Sequence, residues 1–325
     1  MSAPALREVD AAEVTVLVDN VTDILSTTPR WVGGELARTF RPESWRLSGE
    51  ELCCASWGLS LSVQLSDAEG ERRLLFDCGP EAYALERNLQ RLEIAAEGFE
   101  EIVLSHGHWD HSGGLLAVLA LLVGRGRSGT PVHVNPGMFV SRGLSAPKGV
   151  VAFRDVPAPA AIAAAGGRPV NDPAPRLLLD GRAWLSGEIP RTTSFEQGLP
   201  GHVRREGAAW VPDPWILDER FLALRLRERG LLVFTACSHA GLINVLRHAR
   251  ETFAGVPLFA VVGGFHLSGA ACEKIIPETV AELRQFGLQR IVAGHCTGWR
   301  ALHRLVEAFG EEVVVPSAVG RSYRF

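Results

Sequence analysis

Ser105-His106-Gly107-His108-Trp109-Asp110-His111 places three imidazoles and one carboxylate within a single short stretch. The apolar run Ile102-Val103-Leu104 precedes it. Ser112-Gly113-Gly114 and a second apolar run, Leu115 to Val123, follow. The pattern reads as strand, tight loop and helix, with the side chains able to bind a metal crowded into the loop. Borderline metals favour mixed imidazole and carboxylate ligands, which a plain solvated turn has no reason to assemble. His106 and His108, two residues apart, point to one side of an extended segment. Asp110 and His111 continue the turn and can face a second ion. A helix from Gly113 onward would offer free N–H groups and its positive dipole end to an anionic oxygen beside the metals. The expectation is two divalent ions, zinc first, with iron or manganese as alternatives.

The rest of the chain limits what such a centre serves. Its 325 residues suit one large or two ordinary domains, and 46% hydrophobic content allows a substantial core. A formal net charge of −4 counts against a nucleic-acid binder, which shows a basic excess. Met1 to Ala12 lacks a basic region followed by an apolar core, and no run of about eighteen apolar residues occurs, so neither a secretory signal nor a membrane span is expected. The cysteines Cys53, Cys54, Cys78, Cys237, Cys272 and Cys296 form no CxxC pair. A reducing cytoplasm is the simplest home. The expected partner is a small molecule, with no nucleic acid and no membrane, and the oligomeric state is open.

Strands are expected at Val14 to Val18, at Leu59 to Leu65 turning through residues 67–70 into Arg73 to Phe76, at Glu101 to Leu104 and at Pro131 to Val134. Leu25 to Gly49 reads as irregular, and Glu81 to Leu92 as a helix. Order returns with strands at Phe221 to Arg227, Leu231 to Phe234, Leu258 to Val262, Arg290 to Ala293 and Glu312 to Val315. Helices near 242–253, 277–286 and 300–309 alternate with them. Between lies Phe139 to Asp218, rich in Pro, Gly, Arg and Ala. A stretch that long is expected to hold short elements, one of them a strand at Ala183 to Ser186, and to cover the site as a cap. The whole, 1–325, reads as one domain with a cap insertion at about 139–218. RRLLFDCG (Arg72 to Gly79) resembles RGLLVFTACS (Arg229 to Ser238), and EIVLSHGH (Glu101 to His108) resembles RIVAGHCT (Arg290 to Thr297). Two α/β halves whose strand ends meet at one edge would gather these residues, and ligand sites in α/β proteins lie at such ends.

His-x-His-x-Asp-His at His106 to His111, followed by Ser-Gly-Gly, resembles the signature of the metallo-β-lactamase superfamily. FDCGP at Phe76 to Pro80 is similar to that superfamily's DTG turn, and GHCTG at Gly294 to Gly298 to its last histidine motif. VLVDN, SHGHWDHSGGL, GEIPR, CSHAG, GGFHL and GHCTG together resemble one branch of it. Archaeal members of that branch are described as synthases joining a dihydropterin to a ribofuranosylaminobenzene phosphate; most bacterial members are known only as metal-dependent hydrolases. The resemblance implies a four-layer αβ/βα sandwich with a dinuclear centre, and His295 at the last ligand position. The superfamily's third histidine usually falls where this chain has Gly187 to Arg191, and Cys237 stands where a bridging aspartate often sits. His239 is therefore expected to replace the missing ligand, with Glu188 and His266 as outside candidates. The branch also often has His where this chain has Trp57 and Asn135.

The expected metal ligands are thus His106, His108, Asp110, His111, His239 and His295, with Asp110 and His266 as candidate catalytic groups. Cys237 reads either as a small buried side chain or as a thiolate ligand. Asp77 reads as a partner holding a ligand histidine in its tautomer. Asp19 and Asn20 shape a loop or touch substrate. Arg142, Lys148, Arg154, Arg191, Arg204 and Arg205 in the cap are either solvated surface or partners for an anionic substrate; Trp184, Trp210 and Trp215 either fill the core or stack on a flat ring. The expected activity is hydrolysis of an ester, phosphoester or related small molecule by a hydroxide that the ions make available near neutral pH. Alternatives are a transferase or synthase acting on a phosphorylated aromatic substrate, an iron-dependent redox enzyme, and a non-catalytic metal-binding protein.

Overall fold

Two eight-stranded sheets stack face to face, each covered by helices on its outer side. The computed structural model describes residues 4–40 and 47–325. The first sheet runs, in spatial order, Gly167–Asn171, Thr130–Val134, Glu101–Val103, Gly70–Phe76, Ser60–Asp67, Ala11–Val18, Ser322–Arg324 and Val32–Gly33. The second runs Arg176–Leu178, Ala183–Leu185, Leu222–Leu226, Gly230–Thr235, Leu258–Gly264, Arg290–Gly294 and Val314–Pro316. Glu8–Val9 is added to it, parallel to Leu222–Leu226. Each half lends the other a strand: Glu8–Val9 leaves the N-terminal half, and Ser322–Arg324 crosses back to pair with Glu13, Val14 and Thr15.

Side-chain alternation builds the layers. Ser60–Asp67 turns Leu61, Val63 and Leu65 toward the second sheet, where Leu222, Leu224 and Leu226 meet them in the central core. In Gly230–Thr235 both faces are buried. Leu232 and Phe234 join that central core, while Leu231 and Val233 pack on the helices Leu242–Thr252, Ile276–Leu283 and Trp299–Phe309. On the opposite outside, Leu75 and Ile102 meet the helices Ala82–Arg91 and Leu115–Gly124. The expected four-layer sandwich of the metallo-β-lactamase type is what forms.

The stretch 139–218 divides instead of acting as one irregular cap. Gly167–Asn171 joins the first sheet beside Thr130–Val134, and Arg176–Leu178 with Ala183–Leu185 edges the second. Arg142–Ala146, Gly149–Ala152, His202–Glu206 and Ala209–Pro212 form a separate four-stranded sheet, and only this part is a cap. These strands are short and their apolar and polar residues do not alternate, so periodicity could not announce them. Within the stretch 25–49, Glu35–Thr39 is a short helix and residues 41–46 lie outside the described residues. No helix among the described residues is long and apolar enough to cross a membrane.

Parallel neighbours end together, which is what assembles the site. Gly70–Phe76 and Glu101–Val103 are parallel; so are Gly230–Thr235, Leu258–Gly264 and Arg290–Gly294. Their ends deliver Asp77, Ser105 to His111, Cys237 to His239, His266 and His295 to one rim. The long helix expected from Gly113 starts at Leu115, after a single turn at Trp109–Ser112. Gly113 and Gly114 lie against the chain at 78–81, where a Cβ would overlap the carbonyl oxygens of Pro80 and Cys78 respectively. The Gly114 N–H donates to the Gly79 carbonyl at 3.4 Å and that of Gly113 to Trp109 at 3.0 Å, so neither is left for an anion.

Candidate metal centre

The hydrogen bonds around the loop fix where its protons are. Asp77 Oδ2 lies 2.7 Å from His111 Nδ1 and accepts the Ser105 hydroxyl at 2.7 Å, while its Oδ1 accepts the Ser105 N–H at 2.7 Å. A carboxylate only accepts, so His111 is protonated on Nδ1 and turns its Nε2 inward. Ser105, having given its proton to Asp77, accepts from His106 Nδ1 at 2.9 Å, which leaves His106 Nε2 bare. Asn20 Nδ2 donates to the His295 carbonyl at 2.9 Å, so Asn20 Oδ1 is the acceptor 3.3 Å from His295 Nδ1, and His295 Nε2 is bare too. Asp19 completes that corner by accepting the His295 N–H at 3.0 Å and the Ser317 hydroxyl at 2.5 Å.

These nitrogens converge. His106 Nε2 is 3.0 Å from His108 Nδ1 and 3.2 Å from His239 Nε2. Nitrogens held tetrahedrally at about 2.0–2.1 Å from one ion would be separated by about 3.3 Å. Cys237 Sγ is 3.2 Å from His111 Nε2; Asp110 Oδ2 is 3.8 Å from His111 Nε2 and 3.5 Å from His295 Nε2. The ligand atoms of His106, Cys237 and His239 lie within 4.8 Å of one another, and so do those of His111, Cys237 and His295. Cys237 thus stands between two donor sets, each with the nitrogen and sulfur chemistry that suits a borderline divalent ion.

The environment keeps most of these groups in ligand form. Burial above all, and then the neighbouring imidazoles, holds His106 and His239 well below the usual histidine range; for His108, burial acts with His202 and Arg142. At His111 burial acts downward too, but the carboxylates of Asp110 and Asp77 outweigh it and raise the group to about 9. A cation arriving there displaces a proton. Backbone strain gathers at the same rim: Asp77, Ser238, His266 and His295 have φ of 60°, 58°, 43° and 50°, a left-handed region that non-glycine residues seldom enter.

All six expected ligands come together: His106, His108, Asp110, His111, His239 and His295 are buried around Cys237. His266 is brought there as well, its ring 4.5 Å from that of His239 and its ligand atom grouped with Cys237 and Cys296. Glu188 is not; it is exposed. Trp57 lies against His295 at 5.4 Å between ring centres, whereas Asn135 caps a short turn through Gly137 N–H. Among the cap cations, Arg142 is buried and bound to Asp213 and Asp218, which removes it from any substrate. Arg204 pairs with Glu206, and Trp184 packs on Phe221 and Phe253.

Asp77 was singled out from the sequence as a holder of a ligand histidine, but Asp218, Glu219, Arg220 and His202 were not. Asp218 Oδ2 accepts the Gly107 N–H at 2.8 Å. Glu219 takes the N–H groups of His239 and Ala240 at 2.7 and 2.6 Å, and burial raises its carboxyl to about 7. The Arg220 N–H donates to Ser105 carbonyl at 2.9 Å. His202, from the cap, lies 2.9 Å from His108 through their Nε2 atoms. The only available signal was three consecutive charged residues just ahead of an apolar strand.

The fold is that of a metallo-β-lactamase-type enzyme, and the superfamily's profile matches residues 63–245. The chain belongs to the metallo-β-lactamase superfamily. It is 30% identical over 259 residues to the 7,8-dihydropterin-6-methyl-4-(β-D-ribofuranosyl)-aminobenzene-5'-phosphate synthase of Methanocaldococcus jannaschii, covering 78% of this chain and 85% of that one. Among solved structures, one described as a metal-dependent hydrolase of the β-lactamase superfamily superposes with a TM-score of 0.66 at 22% identity, covering 97% of this chain and 98% of that one. The metallo-β-lactamase fold protein YhfI of Bacillus subtilis gives a TM-score of 0.51 at 12% identity, over 97% and 100% of the two chains.

Proposed function

We propose that the protein is a hydrolase that uses two divalent ions, zinc by preference, to cleave an ester, phosphoester or related bond in a small molecule. The observation that carries this is the convergence of ring nitrogens from His106, His108, His111 and His295 on either side of Cys237. His106, His108 and His239 would hold one ion, and Asp110, His111 and His295 the other, with Cys237 between them. Bound there, the ions would bring the pKa of a water toward about 7 and take up developing negative charge. The chain's own part is to hold the donors rigid: Asp77, Ser105 and Asn20 fix the tautomers, and Glu219 fixes the His239 backbone. Asp110, which faces both His111 and His295, and His266, whose ring lies tilted against that of His239, are assigned the proton-handling roles.

Purified protein should contain two divalent ions per chain by elemental analysis. It should lose turnover of phosphoester, ester, thioester and lactone probes on chelation and regain it with zinc. Two ions without turnover of any such probe would sink the hydrolytic reading. A synthase reading is favoured by the similarity to the archaeal enzyme. On that reading a phosphorylated aromatic substrate is joined to a second molecule, and mass spectrometry would show a condensed product in place of two fragments.

A further inference from the structure

For His106, His111 and His295 the proton on the outward ring nitrogen is fixed by a neighbour in the two main sheets or their loops, whereas His239 Nδ1 has no hydrogen-bond partner among the described residues. Only His108 takes its partner from the cap. Its Nε2 lies 2.9 Å from Nε2 of His202, which sits in the separate cap sheet and is buried. His202 Nδ1 is 2.7 Å from the Asp213 carbonyl oxygen, and a carbonyl only accepts. The His202 proton is therefore on Nδ1 and its Nε2 is an acceptor. It follows that His108 donates from Nε2 and presents a bare Nδ1 to His106. The opposite polarity would set two lone pairs against each other at the Asp213 end.

The acceptor is itself held in place. The Asp213 N–H donates to the His202 carbonyl at 2.9 Å, and its side chain takes Arg142 Nε at 3.0 Å. Arg142 goes on to Asp218, whose Oδ2 binds Gly107 between the two histidines. Phe153 flanks both rings, with centroid distances of 5.4 Å to His108 and 5.9 Å to His202, and helps keep water from competing for the bond. We infer that His202 is a positioning residue of the metal centre: by accepting the His108 Nε2–H it aims Nδ1 inward, so the folded cap is part of what loads the site. This rests on the two-ion reading above, and it assigns His202 a role that neither the loop motif nor its spacing contains.

The test separates the two. In metal-free wild-type protein labelled with 15N-histidine, His108 should show a protonated Nε2 and a bare Nδ1; a protonated Nδ1 would overturn the inference. In His202→Leu that preference should disappear, and zinc affinity at one of the two sites, read by chelator competition, should fall about 10–100-fold. His202→Gln, which returns an amide oxygen near the lost acceptor, should recover most of that affinity. Wild-type affinity in a folded His202→Leu protein also overturns the inference, and if that variant does not fold, the Gln variant and the wild-type ring shifts decide. Wild-type protein that binds no divalent ion would defeat the two-ion reading, while the ring-nitrogen measurement would still judge His202.

Discussion

Residues 105–111 and residues 213–220 both bury polar and charged side chains at the same rim, yet they use them in opposite ways. The first stretch turns His106, His108, Asp110 and His111 inward, toward Cys237. The second aims nothing at the centre: Asp218 holds the Gly107 N–H, Glu219 the His239 and Ala240 N–H groups, and Arg220 the Ser105 carbonyl. One supplies ligands and the other supplies their geometry. Donors placed a few tenths of an ångström wrong would bind an ion poorly, so the second job is no less chemical than the first.

Substitutions can pull the two jobs apart. His106→Ala, in the ligand stretch, should lower turnover on the order of 10³-fold or more while leaving the fold intact; retention of two ions at full occupancy would break the assignment. Asp218→Asn, in the holding segment, should act on stability first. It puts amide N–H groups where Gly107 and Arg142 both donate, and breaking a buried pair costs about 3–5 kcal/mol, read by denaturant unfolding of the metal-free protein. A loss of activity without loss of stability would move Asp218 to the ligand side of the comparison. Asp77→Asn should be intermediate, weakening metal affinity about 10–100-fold by freeing the His111 ring.

The smallest effect belongs farther back, at the start of the strand that leads into the loop. Glu101 takes His133 Nε2 at 2.8 Å and the Leu179 N–H at 3.0 Å. Burial acts to raise its carboxyl, but these two bonds outweigh it and hold the group below the usual glutamate range. With a depressed folded value, its contribution is present above the unfolded value and disappears as pH falls through the folded one. Glu101→Gln should cost about 1 kcal/mol near neutrality, with the gap to wild type closing below pH of about 4, and should leave metal affinity unchanged. A gap that widened in acid would reverse the sign of that coupling.

The ligand stretch was legible because its residues are contiguous and chemically unusual, and because a continuously apolar run precedes it and an apolar helix follows it. His239 and His295 could be placed because each follows an apolar strand into a glycine-bearing turn. The holding segment was illegible for the converse reason. Asp218 and Glu219 act through the backbones of residues roughly 110 and 20 positions away, and a carboxylate that accepts N–H groups looks in sequence like any solvated acid. His202 sits in a polar cap strand whose pairing with Arg142–Ala146 leaves no periodic trace. Arg142 was weighed as a partner for substrate, and only its burial shows that its charge is already committed.

Asp218, Glu219 and Arg220 are consecutive, and each ties down a different piece of chain. Their order therefore matters more than their identities taken singly. Losing or gaining one residue between Pro214 and Phe221 would shift every anchor by a position at once, detaching the loop, the His239 turn and the Ser105 carbonyl together. The outer strands of the cap, such as Gly149–Ala152, carry no such register. Diversity in chain length among proteins built this way should collect in those outer strands and stop short of the three-residue seam. A recombinant cap would have to be joined on the cap side of that seam to leave the centre beneath it undisturbed.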